Sequence, residues 1–229
     1  RLTRELTHEI MNSVTPITSL SDTLLTLIQG SEELKAKSES ISSDKETADE
    51  IRNGLHTIST TGKGLLSFVD NYRRITRIPK PEPSLFYVKG FINRMVELAR
   101  HQYPDSHITF HSHITPDDLI LYADENLISQ VLINLLKNSI QAIEAAGIPE
   151  GIITLNAYCN ENEAVLIEVS NNGPAIPPEV AEHIFIPFFT TKEGGSGIGL
   201  SISRQIMRLS GGSLSLHPGK ETMFVLKFN

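Results

Sequence analysis

Apolar residues at positions 6, 10, 14, 17, 20, 24 and 27 recur at intervals of three and four, the spacing of one helical face, and predict a first helix. A polar stretch from Gly30 through "SEELKAKSESISSDKETADE" then interrupts the pattern, with little apolar content beyond Leu34 and Ile41. Within it, Ser43 and Glu46 have the spacing of a capping box and predict the start of a second helix. That helix carries a four-three alternation at Ile51, Leu55, Ile58, Gly62, Leu65, Val69 and Tyr72, a coiled-coil-like seam. One two-helix hairpin cannot bury both stripes, whereas two hairpins side by side enclose an interior. The pattern therefore predicts a homodimer built around a four-helix bundle.

The stretch "IPKPEP", with Pro79, Pro81 and Pro83, cannot continue a helix and favours a stiff extended linker. The expected division is a helical domain over 1–78, a linker over 79–84 and a second domain over 85–229. Past the linker the periods mix. A strand is expected near Phe86, a helix from about Lys89, and a strand over "ITFHSHI", where Ile108, Phe110 and Ile114 fall on one side. A strand near "LILYAD" follows, then a helix from about Glu125 that stops at Gly147 and Pro149. The segments "IITLNAYC" and "AVLIEVS" flank the polar turn "NENE". A last helix runs from about Gly197 to Gly211 and Gly212, and a hairpin around "HPGKE" closes the chain. This order predicts an α+β chain whose second domain is an α/β sandwich, a sheet covered on one face by helices. No internal repeat is visible.

Composition narrows the function. With 229 residues and 39% hydrophobic content the chain suits two modest domains. A net charge of -7 and a pI near 5.6 argue against direct nucleic-acid binding, which needs a basic footprint. The single cysteine, Cys159, cannot form an internal disulfide and fits a reducing, cytoplasmic setting. The longest aliphatic run, "VLINLL", is interrupted by Asn134 and falls far short of the ~20 apolar residues of a membrane span. Arg1 stands only seven residues before His8, so an upstream region is expected, and any membrane attachment would come through it.

Four groups of residues carry candidate chemistry. In "HEIMNSVTPI", His8 and Asn12 share a helical face, with Glu9 about 100° round the helix. A zinc-binding reading would need a histidine where Asn12 stands. Taken alone, the motif reads as a solvated histidine at least as well as a functional one. Pro16 removes a helical hydrogen bond and predicts a bend a turn or two beyond His8.

In "NLLKNSIQAI", Asn134, Asn138 and Gln141 make a polar stripe on a Leu and Ile-rich helix, although asparagine suits helix interiors poorly. The stripe either bonds to nearby backbone and water or presents amide oxygens to a hard cation such as Mg²⁺, with Lys137 near phosphate. In "NNGPAIP" and "IFIPFFTTKEGGSGIGL", Gly195, Gly197 and Gly199 alternate before a helix whose N-terminus can cradle phosphate. The loop is neither a Walker A loop nor a Rossmann turn. Phe185, Phe188 and Phe189 read equally as anchors of that loop on the core. His101, His107, His111 and His113 crowd a short stretch. The last two and His107 share a strand face, which reads as a solvated polar face more readily than as a metal site.

Taken in order, the histidine box "HEIMNSVTPI", the asparagine box "NLLKNSIQA", the glycine box "NNGPAI", the phenylalanine box "IFIPFFTTK" and the second glycine box "GSGIGL" resemble a two-component sensor histidine kinase. The histidine box is most similar to the nitrogen-regulation-type branch. The resemblance covers essentially the whole chain. It implies a dimerisation and histidine-phosphotransfer bundle followed by a Bergerat-type ATP-binding domain, with ATP and Mg²⁺ as cofactors and the receiver domain of a response regulator as partner. It further implies that His8 accepts the γ-phosphoryl group, that Glu9 orients and polarises its ring, and that Asn12 positions a water for dephosphorylating the regulator. Mg²⁺ would be held mainly by Asn138 with help from Asn134. Nucleotide contacts would come from Lys137, Asn171, Gly173, Ile176, Phe188, Thr190, Thr191, Lys192, Gly195, Ser196, Gly197, Ile198, Gly199 and Leu200.

Hydrolytic relatives of this ATP fold carry a glutamate base where Asn134 stands, and an amide cannot accept the proton of a water. Two positions depart from the family pattern DxGxG: Asn171 replaces the adenine-contacting aspartate and Ala175 the last glycine. The loss of charge should weaken ATP binding by roughly 1 to 2 kcal/mol, a factor of about 5 to 30. The alternative reading is a degenerate kinase that acts mainly as a phosphatase or docking scaffold.

Overall fold

The computed structural model describes residues 10–12, 14–26, 43–76, 78–192, 195–217, 219 and 221–229. The chain divides into two compact units between positions 77 and 78.

In the first unit, residues 10–12 and 14–26 are helical (α1), and the helix runs on through Pro16. The second helix is α2 (Ser43–Thr76). It begins at the expected residue, while the side chains of Ser43 and Glu46 lie outside those described. The seam on α2 is not one stripe but two. Gly62 and Val69 are buried and Leu55 is half-buried, whereas Ile51, Ile58 and Leu65 are 41–50% exposed.

Between α1 and α2 lie small and polar groups instead of leucines: Thr18, Ser21 and Ser59 are all buried. Asp22 accepts a 2.6 Å bond from the Ser59 hydroxyl and pairs with the Lys63 ammonium at 2.9 Å. The Ser59 hydroxyl, followed by Lys63, holds the Asp22 carboxyl below the usual carboxylate range. The outward stripe, with Ile17 and Leu20 of α1 also more than half exposed, is an apolar face of the kind that marks an association surface.

The second unit opens with β1 (Ser84–Tyr87), α3 (Val88–Gln102), β2 (Ile108–Thr115), β3 (Ile120–Ala123) and α4 (Glu125–Ala145). It continues with β4 (Gly151–Cys159), β5 (Val165–Asn171), the short α5 (Pro178–Ala181), α6 (Gly199–Leu209), β6 (Ser213–His217) and β7 (Thr222–Phe228). β1 and β3 form an antiparallel ribbon, and the main sheet has the order β2-β4-β5-β7-β6. The β2-β4 pair is parallel and the others antiparallel.

Alternation along the central strands explains the single covered face. Ile153, Leu155 and Ala157 of β4, Ile167 and Val169 of β5, and Phe224 and Leu226 of β7 point into the core, while the residues between them are at best half-buried. Helices α3, α4 and α6 cover that face. On α4, Leu132, Leu135, Leu136 and Ile140 are fully buried, each contributing about 1.5–3 kcal/mol of burial. The mixed sheet with helices on one side matches the expected α+β, Bergerat-type architecture.

Capping sets the ends of α4. Asp124 accepts from the N–H groups of Asn126 and Leu127 at 3.0 and 3.1 Å, and its other oxygen accepts from Glu82 N–H at 2.8 Å. These donors hold its carboxyl below the usual range, the Glu82 amide most of all. At the other end Gly147 sits at φ +64, and Ile148 N–H reaches back to Ile143 O, a Schellman stop. Gly211 at φ +74 and the bond from Gly212 N–H to Met207 O close α6 in the same way. One expectation needs correction, and one element was not foreseen. α6 starts at Gly199, not Gly197, because position 197 adopts φ +65 and cannot belong to a right-handed helix. The single turn α5 is too short to show a period in the sequence.

Candidate functional site

The polar stripe of α4 is half-buried and partly satisfied. Asn134 Nδ2 donates to Ser203 Oγ of α6 at 3.1 Å. The Lys192 ammonium donates to Gln141 Oε1 at 2.7 Å and to Asn138 Oδ1 at 3.2 Å. The amide oxygens of this face therefore already hold a cation. Burial, and secondarily the neighbouring Lys137, push the Lys192 ammonium below the usual lysine range. Lys137 itself is exposed. The two bonds tie the loop to α4, each worth about 0.5–1.5 kcal/mol at this half-open position. Lys192→Met should raise hydrogen exchange of the loop amides from 186 to 192 by about 3- to 10-fold while leaving the melting temperature within ~2 °C. Unchanged loop exchange would rule out this tether.

The loop is folded by close approach of backbone to backbone. Phe188 N–H donates to Gly197 O at 3.0 Å, and Phe188 itself takes φ +69. A β-carbon on Gly197 would lie 2.5 Å from the Phe188 carbonyl carbon and 2.7 Å from Phe189 O. A side chain at Gly199 would overlap Asn134 Oδ1, so this glycine lets the start of α6 rest on the asparagine stripe. No side chain caps α6 at Ile198, which leaves its first-turn N–H groups available for an anion. Thr190 Oγ1 accepts from Lys192 N–H at 3.1 Å, shaping the turn, while Thr191 and Ser196 are exposed. Ile198 is buried and Leu200 half-buried. Phe185 stacks edge-on to Phe224 and lies under the Arg204 guanidinium at 4.7 Å, so it does anchor the loop on the core.

At the end of β5, Asn171 is 3% exposed and its Nδ2 has no hydrogen-bond partner. Its neighbour is committed elsewhere: Asn172 Oδ1 accepts from Ile152 N–H and its Nδ2 donates to Glu150 O, both at 2.8 Å. Thr222, opposite Asn171 in register, donates to Pro174 O at 3.1 Å. Gly173 is buried, Ile176 half-buried and Ala175 exposed.

The structure thus brings Asn134, Asn138, Lys192 and the loop from Gly195 to Leu200 into one neighbourhood. Ser203 belongs to it too, and Thr222 stands beside Asn171 at the end of β5; sequence reasoning passed over both. The only signal for Ser203 was its place one helical turn after Gly199. His8 and Glu9 lie outside the described residues, and Asn12 is exposed on α1. His107, His111 and His113 are exposed, and no group of three or more metal-ligating side chains occurs among the described residues.

The residues present fit a nucleotide: a buried amide without a partner, an uncapped helix start, and two lysines beside it. Asn138 Oδ1 and Gln141 Oε1 are neutral hard oxygens suited to a small cation that also binds phosphate.

Comparison with known proteins places these features in a family. Residues 123–229 match the family of histidine kinase-, DNA gyrase B- and HSP90-like ATPases. The nitrogen regulation protein NtrY of Azorhizobium caulinodans is 32% identical over 224 residues, 95% of this chain and 27% of that protein. The sensor protein kinase PilS of Pseudomonas aeruginosa is 28% identical over 212 residues, covering 90% of this chain and 36% of that protein. The chain thus spans about a third or less of these relatives. Among solved structures, the catalytic domain of the histidine kinase ThkA is 34% identical, with a TM-score of 0.56 over 64% of this chain and 95% of that one. ThkA in complex with the response regulator protein TrrA is 28% identical, with a TM-score of 0.56 over 99% of this chain and 63% of that one.

Proposed function

The chain belongs to the two-component sensor histidine kinases, and from that premise we propose that it transfers the γ-phosphoryl group of ATP to His8 and from there to an aspartate of a response regulator. The observation that carries this reading is the meeting of Asn134, Asn138 and Gln141 with Lys192 and the uncapped start of α6. These are a cation-holding face and a phosphate-binding face side by side. In this reading Asn138, helped by Asn134, holds Mg²⁺, whose charge offsets that of the phosphates. Lys137, Thr190, Thr191 and Lys192 line the phosphates, as do the amides from Gly195 to Leu200. Asn171, Gly173, Ile176 and Phe188 enclose the base. Phosphoryl transfer of this kind depends mainly on positioning and charge neutralisation.

His8 attacks through one ring nitrogen. The new P–N bond replaces the bond to the leaving ADP, and Glu9 accepts the hydrogen bond of the other nitrogen and steadies the imidazolium that forms. Asn12, one turn along, orients a water that attacks the aspartyl phosphate of the regulator, releasing inorganic phosphate and the free aspartate. The outward apolar stripe of α1 and α2 buries itself in a second copy, the 1–78 bundle, with 79–84 as linker and 85–229 as the catalytic domain. No helix among the described residues is long and apolar enough to cross a membrane. The solved complex of the histidine kinase ThkA with the response regulator protein TrrA supports a response regulator as the partner.

The test is to incubate the protein with Mg²⁺ and γ-labelled ATP and look for acid-labile label on the chain, then to add a labelled receiver domain and follow its loss of label with and without Asn12→Ala. Acid-labile label, and slower loss with the variant, are expected. A second reading rests on Asn171: a chain that docks and dephosphorylates the regulator with little kinase activity. No label in the parent but label in Asn171→Asp would bring that reading forward.

A further inference from the structure

We propose that the base site at the end of β5 accepts 6-oxopurine nucleotides as well as adenine nucleotides, because it reads the purine edge with an amide and not a carboxylate. The inference rests on the nucleotide-binding reading above and concerns which base that site takes.

An adenine edge offers an amino donor at the 6-position and a bare ring acceptor at N1. A 6-oxopurine reverses both, with an oxygen acceptor at position 6 and an N–H donor at N1. A carboxylate only accepts, so where it stands opposite position 6 it pairs with the amino group of adenine and repels the oxygen of an oxopurine, whose N1–H it reaches only by a shift along the edge. A side-chain amide carries one donor and one acceptor side by side. Turned one way, Asn171 Oδ1 accepts from the adenine amino group while Nδ2 donates to N1. Turned by half a rotation, Nδ2 donates to the 6-oxygen while Oδ1 accepts from N1–H. The two orientations nearly superpose, and the final torsion of asparagine is soft.

No hydrogen bond to the Asn171 amide nitrogen fixes which way the group is turned. Asn171 is 3% exposed, yet its Nδ2 bonds to nothing. The neighbours that could lock the amide are engaged elsewhere: Asn172 with Ile152 N–H and Glu150 O, and Thr222 with Pro174 O. The amide has room only because position 173 is glycine, where a β-carbon would come within 2.6 Å of Asn171 Nδ2. A buried donor without a partner is costly, and a ligand that satisfies it recovers that cost whichever edge it presents.

Calorimetric titration of the protein with ATP, inosine triphosphate and uridine triphosphate, each with Mg²⁺, tests this. Inosine isolates the 6-oxo edge because it lacks a 2-amino group. The parent should bind inosine triphosphate within about tenfold of ATP and uridine triphosphate more weakly than either. In Asn171→Asp, with folding checked by thermal melting, ATP should tighten by about 5- to 30-fold and the inosine-to-ATP ratio of dissociation constants should rise at least about tenfold. In the parent alone, ATP binding with inosine triphosphate more than about tenfold weaker overturns the inference and leaves the kinase reading standing. Uridine triphosphate binding as tightly as inosine triphosphate also overturns it, since the base would then go unread. Absence of ATP binding would sink both.

Discussion

A His8→Gln variant should take up no acid-labile label from γ-labelled ATP while binding nucleotide as tightly as the parent. Glutamine keeps similar bulk and hydrogen-bonding capacity at that position but offers no ring nitrogen to form a P–N bond. The expected loss is therefore complete, set by the assay background and not by a partial rate. Nucleotide affinity should not change, because the residues argued to hold ATP lie between Asn134 and Leu200, in the other compact unit. This split between binding and labelling separates a missing acceptor from a damaged catalytic domain. Label that persists in His8→Gln, at equal stoichiometry, would move the acceptor to another of the eight histidines. Exposed His107, His111 and His113 would then be the first to examine.

The second large effect is expected from Gly197→Ala. An alanine there must adopt φ +65, and its β-carbon would press on the Phe188 carbonyl at 2.5 Å and on Phe189 O at 2.7 Å. Both atoms are backbone and cannot swing aside. The left-handed conformation alone costs about 1–2 kcal/mol, and relieving the overlap breaks the bond from Phe188 N–H to Gly197 O. The loop should leave the start of α6, and ATP affinity should fall by at least about tenfold. Global stability should change less, because the overlap falls on the loop backbone of Phe188 and Phe189 and not on the buried side chains of α3, α4 and the sheet. Calorimetric titration beside a thermal melt measures both. Unchanged affinity would mean that the loop between Phe188 and Gly197 takes no part in binding.

Much of this architecture could be read from one chain because its signals are local. The period of three and four over α2, the alternation along β4 and β5, and the glycine stops at Gly147 and Gly211 depend only on neighbouring residues. The same holds for Asn134, Asn138 and Gln141, since residues three and four apart on a helix must share a face. What sequence reasoning could not reach was pairwise geometry across long separations. Lys192 meets Gln141 across 51 positions, and Asn134 meets Ser203 across 69. Neither contact leaves a trace in local pattern.

The seam of α2 shows the same limit from the other side. Its alternation was visible, but which positions face α1 depends on the polar layer of Thr18, Ser21, Asp22 and Ser59, and that layer exists only once the helices are packed. By itself, then, the sequence determined the longer elements, the glycine stops of α4 and α6, the identity of the chemical groups and the replacement of an aspartate by Asn171. Only the tertiary structure decided which of those groups are satisfied. It gave the amides of Asn138 and Gln141 an ammonium to hold, bound Asn172 and Thr222 to the backbone, and left Asn171 buried without a partner. The physical reason is that propensity and period act over a few residues, whereas hydrogen-bond satisfaction is settled by whatever the fold brings within 3 Å.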